Sequence, residues 1–513
     1  MLKKKTSRRR IEVNVDELDR IIDTAMRGPL NEAEGRTLRA AVHAMAERLV
    51  HQRNTEKTRA VLEPKAPQAP AETSPAPEKH TPAGHGRNGA VAFTGANRIA
   101  VVHATVHSGD SCPGCGEGRV YVQKEPAKLI RSMGRAPLNA TVFEMERLRC
   151  NACGEVFTAR PPQSACAEKF DATAVAMIAL LKYGAGMPFH RLERLEKQLG
   201  MPFPAATQWD LMKGSAQRIQ PVLDELIRQA AQGDVLHNDD TGMRVLKLAR
   251  NTDDGRSGTF TSGIVAVSGG WKIALFFTGW KHAGENLADV LRRRAAELDA
   301  PIQMCDALSR NTPKAPGMQV LLANCLAHGR RQMVDIAANF PEQCRYVLET
   351  LGKVYQTDAR ARERQLSPES RLLLHQELSG PLMAELYEWM KAQFAEHKTE
   401  PNSGLGRAIS YLLRHWTKLT LFLRQAGAPL DNNIAERTLK KAILHRRNAL
   451  FYKTMNGARV GDLFMSLIHT CELNKVNPFD YLTELLRHPA EASVHPAEWM
   501  PWNYRRDAAA VAA

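Results

Sequence analysis

Acidic residues in three separate stretches of the chain have the types and settings needed for metal-assisted chemistry at phosphorus. Asp239 and Asp240 close the run DVLHNDDT, Asp306 closes APIQMCD, and Glu436 lies in DNNIAERTLKKAILHRRNALFY. The first two runs read as strands and the third as a helix, which puts carboxylates at two strand ends and on one helix face. Mg²⁺ takes oxygen ligands and keeps several waters, so a few carboxylates plus a substrate phosphate suffice to hold it. Two such ions about 4 Å apart can serve an in-line displacement at phosphorus. Neighbouring strand residues face opposite ways, so only one of Asp239 and Asp240 can serve, and spacing leaves the choice open. Singly, each acid could be a turn cap, a strand end or a solvated helix charge. The set, in that strand order, is what points to chemistry.

A second set is built of thiols. Cys112 and Cys115 in CPGCGEG, and Cys150 and Cys153 in CNACGEV, form two Cys-x-x-Cys pairs, each in a glycine-bearing knuckle. Glycine lets backbone amides turn toward sulfur, and four thiolates satisfy tetrahedral Zn²⁺. The 34 residues between the pairs leave room for an intervening hairpin. Structural zinc is the expectation; a redox pair or a ribbon that has lost its metal would carry the same signature. The remaining five cysteines are scattered, which excludes a disulfide scaffold and suits a reducing cytoplasm.

The elements around these residues belong to a chain too long for one core. At 513 residues, three or four domains are expected. Lys and Arg number 70 against 55 Asp and Glu, a net charge of +15 that suits a polyanionic partner such as nucleic acid. The richest apolar stretch, GIVAVSGGWKIALFFTGW, is interrupted by Lys272 and glycines, so no membrane span is expected. The basic opening MLKKKTSRRR leads into a polar amphipathic run rather than an apolar one, which argues against export.

Residues 1–54 read as a basic helical segment, with Leu38, Val42, Met45 and Leu49 spaced for a short coiled-coil seam or for packing on a neighbouring helix. A Pro- and Ala-rich linker follows over 55–97, then a zinc-ribbon-like domain over 98–165. Residues 166–232 are helical, and the turn after Gly200 fits a helix-turn-helix with Thr207, Gln208 and Lys213 near the start of a DNA-reading helix; any short helical hairpin would look the same. From Val235 the order strand, strand, strand, helix (GENLADVLRRRAAEL), strand, strand (QVLLANCLAH) implies a mixed sheet flanked by helices. A helical insertion spans 329–430, the helix bearing Glu436 and the rest of the sheet domain 431–490, and a tail 491–513. The fold class is therefore α/β and multidomain. Arg437, Lys440, Lys441, Arg446 and Arg447 follow Glu436, and those on its helix face would neutralise DNA phosphates unless the face is merely solvated.

The strings HNDDTGMRVL, TGWKHAGENL, NCLAHGRRQMVDIA and DNNIAERTLKKAILHRRNALFYKTMNGARVGDLFMSLIHTCELNKVNPFDYL strongly resemble the insertion-sequence-66 family of transposases, over roughly residues 90 to 490. The resemblance implies a ribonuclease-H-like catalytic domain of the Asp-Asp-Glu type. It aligns the family's His-x-Asp-Glu-Thr with His237, Asn238, Asp239, Asp240 and Thr241, making Asp239 the first metal ligand, Asp306 the second and Glu436 the third. Asp240 stands where Glu is common, and CDALSRN where Asp-Gly is more frequent. Cys325, His328, Arg330 and Arg331 match Cys-x-x-His-x-Arg-Arg, with His328 and Arg330 as contacts to the scissile phosphate or as members of a buried polar network.

What the resemblance implies is a bacterial, nucleoid-associated DNA transposase that binds terminal inverted repeats and performs Mg²⁺- or Mn²⁺-dependent cleavage and strand transfer. Double-stranded DNA, a second copy of the chain in the synaptic complex and small accessory proteins of the same element are the implied partners. The rival readings are a catalytically inactive DNA-binding regulator derived from a transposase, and a nuclease that only hydrolyses.

Overall fold

The structure is a computed structural model and describes residues 90–504 apart from 93–97, 124–126, 131–135, 152, 154, 163–168, 249–255, 257, 315–316 and 318. The N-terminal helical segment, the tail beyond 504 and nearly all of the linker lie outside the described residues; within the linker, Ala90–Ala92 is a short 3-10 turn. The chain divides into two compact units, one formed by the described residues of Pro67–Ala165 with Leu195–Pro202, the other by those of Cys166–Arg194 and Phe203–Ala513.

The smaller unit carries both cysteine pairs. In the first knuckle the Cys112 amide donates to the Gly118 carbonyl and the Gly116 amide to the Cys112 carbonyl. Gly116 sits at φ +74°, a region that suits a residue with no Cβ. The second knuckle tops an antiparallel hairpin of β1 (Arg147–Arg149) and β2 (Val156–Thr158), closed by the Cys150 amide donating to Glu155.

The larger unit opens with α1 (Ala172–Ala179), capped by the Asp171 carboxylate accepting from the Ala174 amide, and continues through one π-helical turn, Leu180–Gly184. Helix α2 (Phe189–Gln198), whose residues from Leu195 onward belong to the smaller unit, and α3 (Ala205–Ala231) follow. Along α3 the buried Met212, Ala216, Ile219, Val222 and Leu226 recur at the three- and four-residue steps of one helix face.

The sheet holds β3 (Val235–Gly242), β4 (Phe260–Ser268), β5 (Trp271–Gly279), β6 (Ile302–Cys305) and β7 (Leu321–Asn324) in the order β5-β4-β3-β6-β7. β3, β4 and β5 pair antiparallel, while β6 and β7 run parallel to β3. This five-stranded mixed sheet flanked by helices is compatible with a ribonuclease-H-like domain. Helix α4 (Ala283–Leu291) makes the crossover from β5 to β6. It stops short of the expected GENLADVLRRRAAEL because Arg294 turns back to donate to the carbonyls of Ala231, Gly233 and Asp299. The fifth strand is also shorter than expected: it ends at Asn324, and Cys325 is already the N-cap of α5 (Leu326–Ile336).

Between β7 and the helix bearing Glu436 lie α5, α6 (Pro341–Glu363), α7 (Pro368–Leu378), α8 (Gly380–Ala395) and α9 (Gly404–Leu419). Their buried Val347, Leu351, Leu386, Met390 and Leu412 share one core with Val235, Ile302, Met304 and Ala323 of the strands. These helices therefore extend the hydrophobic core of the sheet. The chain ends its described part with α10 (Asn433–Ala449), α11 (Met455–Leu473), α12 (Pro478–Arg487) and α13 (Pro489–Val494).

Helix α11 closes the edge of the sheet by its side chains. The β5 amides of Lys272, Ala274, Phe276 and Thr278 donate to Asn474, Thr470, Ser466 and Asp462. Two strand residues rise about 6.7 Å and four helix residues about 6 Å, so a polar stripe every fourth residue can meet every second amide. The arrangement covers an edge that would otherwise invite another strand. No helix among the described residues is long and apolar enough to cross a membrane.

Candidate active site

The parallel register sets His237 beside Met304, so Asp239 and Asp306, each two residues further along, arrive at the same level at the C-terminal ends of adjacent strands. A single donor joins them: Nδ2 of Asn311 lies 2.6 Å from Oδ1 of Asp306 and 3.4 Å from Oδ1 of Asp239. Asn311 is fully buried in the short turn after β6, and its own carbonyl accepts from Asn238 and Gln303, each at 2.7 Å.

Asp239 and Asp240 take opposite faces, as pleating requires. Across the ladder Asp239 pairs with Gly263 and Asp240 with Ser262. On the Asp239 face, a Cβ at Gly263 would stand 3.0 Å from Leu439 Cδ2 of α10, so glycine is what lets that helix lie down on the sheet. On the other face Asp240 is buried against α4, where its Oδ2 lies 2.7 Å from Nδ1 of His282 and its Oδ1 3.5 Å from Arg310.

Helix α10 is tied to β3 through its N-cap, Asn432. Its Oδ1 lies 3.1 Å from Nδ1 of His237, its Nδ2 donates to the Asn238 carbonyl at 3.0 Å, and its amide donates to Sγ of Cys325 at 3.2 Å. Burial pushes the His237 imidazole down to about 4, so it is neutral and donates from Nδ1. The first residue of the His-x-Asp string thus holds the helix bearing the third acid against the strand bearing the first.

Glu436, in the first turn of α10, contributes negative charge at Asp239. Burial, followed by the charges of Asp306, Asp240 and Glu436, pushes the Asp239 carboxyl up to about 7. Asp239 and Asp306, joined through Asn311, suit a divalent cation such as Mg²⁺ or Mn²⁺, whose charge would offset their repulsion; the three acids together are not a group within 4.8 Å among the described residues. The Glu436 carboxylate itself faces His328, with Oε1 3.7 Å from Nδ1, and Arg331, with Oε2 at 4.0 Å. Among the described residues, the group of three or more metal-ligating atoms all within 4.8 Å of one another is Cys325, His328 and Glu436.

The remaining candidates divide by exposure. Arg437, Lys440 and Arg447 are exposed on one face of α10. Lys441 instead pairs with Glu472 at 2.9 Å, and Arg446 donates to Thr241 Oγ1 at 3.1 Å and to the Gly242 carbonyl. Lys213 is exposed and Thr207 half-buried on α3. Gln208, expected among the DNA-reading residues, is fully buried, and its amide donates to the carbonyls of Phe203 and Phe189. It fixes the turn between α2 and α3 and has no surface to offer a base. In the first cysteine knuckle, hydrogen bonds from the Gly118 and Glu117 amides and from Cys112 hold the Cys115 thiol below its ordinary range, the pattern of a thiolate ligand. The second knuckle is a separate turn, and the four sulfurs do not appear as one cluster among the described residues.

Asn311, His282 and the strand-binding role of Asn432, foreseen only as a possible cap of the Glu436 helix, escaped the reading of the sequence. An asparagine in a turn ordinarily signals only the turn, and the long-range partners that give these three their roles are invisible to periodicity.

Comparison with known proteins places residues 168–460 in the family described as Transposase IS66 family. An uncharacterized protein, y4hP, of Sinorhizobium fredii is 26% identical over 423 residues, covering 78% of this chain and 74% of the relative. A second from the same organism, y4jD, is 27% identical over 379 residues, covering 70% of this chain and 72% of the relative.

Proposed function

This chain belongs to the IS66 family of transposases, and from that premise we propose that it cleaves DNA at the terminal inverted repeats of an insertion sequence and transfers the freed 3′ ends to target DNA. The observation that carries the proposal is the bridging of Asp239 and Asp306 by Asn311 at adjacent strand ends, with Glu436 on the helix that Asn432 ties to the strand bearing Asp239.

Asp239, Asp306 and Glu436 would hold Mg²⁺ or Mn²⁺. When bound, the ions supply activation of the attacking oxygen and relief of charge on the leaving one. Asn311 keeps the first two carboxylates at a fixed spacing. Asn432 and His237 fix α10, and so Glu436, relative to β3. His328 and Arg330 orient the scissile phosphate from the start of α5. Exposed Arg437, Lys440 and Arg447 bind the DNA backbone, an interaction that sets register without reading sequence.

Recognition of the element's ends falls to the cysteine knuckles, with Cys112, Cys115, Cys150 and Cys153 as thiolate ligands for structural Zn²⁺, and to Thr207 and Lys213 at the start of α3. The synaptic complex would contain at least two copies of the chain, in a nucleoid-associated, cytoplasmic setting, with small accessory proteins of the same element.

The test is product analysis on a duplex carrying one element end and a target plasmid. The proposal expects Mg²⁺-dependent nicking and joined strands with the wild-type chain and neither product with Asp306→Asn. Joining at the wild-type rate by Asp306→Asn would overturn it, and nicking without joining would leave a nuclease.

A further inference from the structure

The cluster beside the three acids has donors that Mg²⁺ does not favour. A thiol, an imidazole nitrogen and a carboxylate oxygen, from Cys325, His328 and Glu436, lie within 4.8 Å of one another. Nδ1 of His328 and Oε1 of Glu436 face each other at 3.7 Å, beyond hydrogen-bond distance, and both atoms are buried without a hydrogen-bond partner among the described residues. Orphaned buried polar atoms are costly, and two of them aimed into one space mark a place for a missing partner. Cys325 is the N-cap of α5 and His328 is in its first turn, so the Cys-x-x-His spacing turns both side chains toward α10. Behind the sulfur, the Asn432 amide donates to Sγ at 3.2 Å.

We propose that Cys325, His328 and Glu436 form a binding site for a thiolate-seeking divalent cation of the Zn²⁺ class. One sulfur, one nitrogen and one carboxylate oxygen are three of the four ligands such an ion takes, leaving one position for water. Mg²⁺, which demands oxygen ligands, is excluded by the thiolate. Because Glu436 is shared, an ion held here removes the third acid from the catalytic set and inhibits the enzyme; this last step rests on the function proposed above.

The experiment is titration of the full chain with Co²⁺, in the absence of DNA and Mg²⁺, followed by thiolate-to-cobalt absorption and bound-metal content. Cysteines of the knuckles also contribute, so the readout is the difference between variants. The proposal expects Cys325→Ser to lose one equivalent of cobalt and one thiolate's share of absorption relative to wild type. His328→Gln, which leaves the Cys325–Asn432 contact in place, is expected to weaken that equivalent at least tenfold. Identical isotherms and spectra for wild type and either variant overturn the site. A chain that binds cobalt through Cys325 but never cleaves DNA upholds the site and overturns the catalytic reading, whereas DNA cleavage that is inhibited by Zn²⁺ in wild type and insensitive to it in Cys325→Ser supports both.

Discussion

Nδ2 of Asn311 lies 2.6 Å from Oδ1 of Asp306 and extends the same donor toward Asp239, so one buried amide spaces the two strand-end acids. Hydrogen bonds to charged groups contribute about 1.5–3 kcal/mol. Asn311→Ala is therefore expected to raise the Mg²⁺ concentration for half-maximal cleavage by about tenfold or more, with the fold retained because the Asn311 carbonyl still accepts from Asn238 and Gln303. A magnesium titration of end cleavage checks this, and an unchanged midpoint would show the bridge to be incidental.

Gly263 is the contact on which α10 rests. Adding a methyl group there would set a Cβ 3.0 Å from Leu439 Cδ2 and 3.1 Å from Cγ, displacing the helix that carries Glu436. Overpacking of this kind costs about 1–3 kcal/mol. Gly263→Val should lower the melting temperature and reduce cleavage more than DNA binding. Equal losses in both would mean that the helix is not being displaced from the site.

Asp462 sets a pH dependence of stability. It is buried, and desolvation pushes its carboxyl up to about 7 from 3.8 despite the two hydrogen bonds from Thr278. The folded chain holds the proton that the unfolded chain releases above 3.8, so this residue's contribution is greatest below that pH and is lost as pH rises toward 7, at about 1.4 kcal/mol per pH unit across the window. Asp462→Asn removes the titration. The stability difference between Asp462→Asn and wild type, from urea unfolding at several pH values, is expected to shift in favour of the variant from pH 4 to 7; a constant difference would contradict the assignment.

The basic residues of α10 are predicted to behave as two classes. Exposed Arg437, Lys440 and Arg447 should each reduce the slope of log affinity against log salt by about 0.9 when changed to Ala, as expected for loss of one phosphate contact. Lys441 pairs with Glu472 and Arg446 with the end of β3, so their removal should leave the slope nearly unchanged. Fluorescence anisotropy on duplex DNA across a salt series separates the classes. Equal effects from all five would favour a general electrostatic field over a defined contact face.

The order of the strands was legible because their apolar runs are long and their turns contain glycine. Asp239 and Asp306 were legible as strand-end acids because each closes an apolar run. The faces of Asp239 and Asp240 were not, since pleating says only that they differ, and it took the Gly263 and Ser262 pairings to place them. Helix ends were less legible where a side chain intervenes, as Arg294 does after α4. The edge-covering role of helix α11 was not legible, because the stripe of Asp462, Ser466, Thr470 and Asn474 acquires its meaning only from a strand almost two hundred residues earlier. Gln208 shows the opposite failure: a polar residue at the right place in a helix-turn-helix pattern proves to be buried and bonded to the turn.

The most direct measurement is end cleavage in Mg²⁺ by Asp239→Asn and Asp240→Asn, side by side. The account predicts that Asp239→Asn abolishes cleavage, because the carboxylate beside Asp306 is lost. Asp240→Asn should still cleave, because that side chain is committed to His282 on the other face of the sheet. Cleavage by Asp239→Asn, or its loss only in Asp240→Asn, would contradict the assignment of the active site.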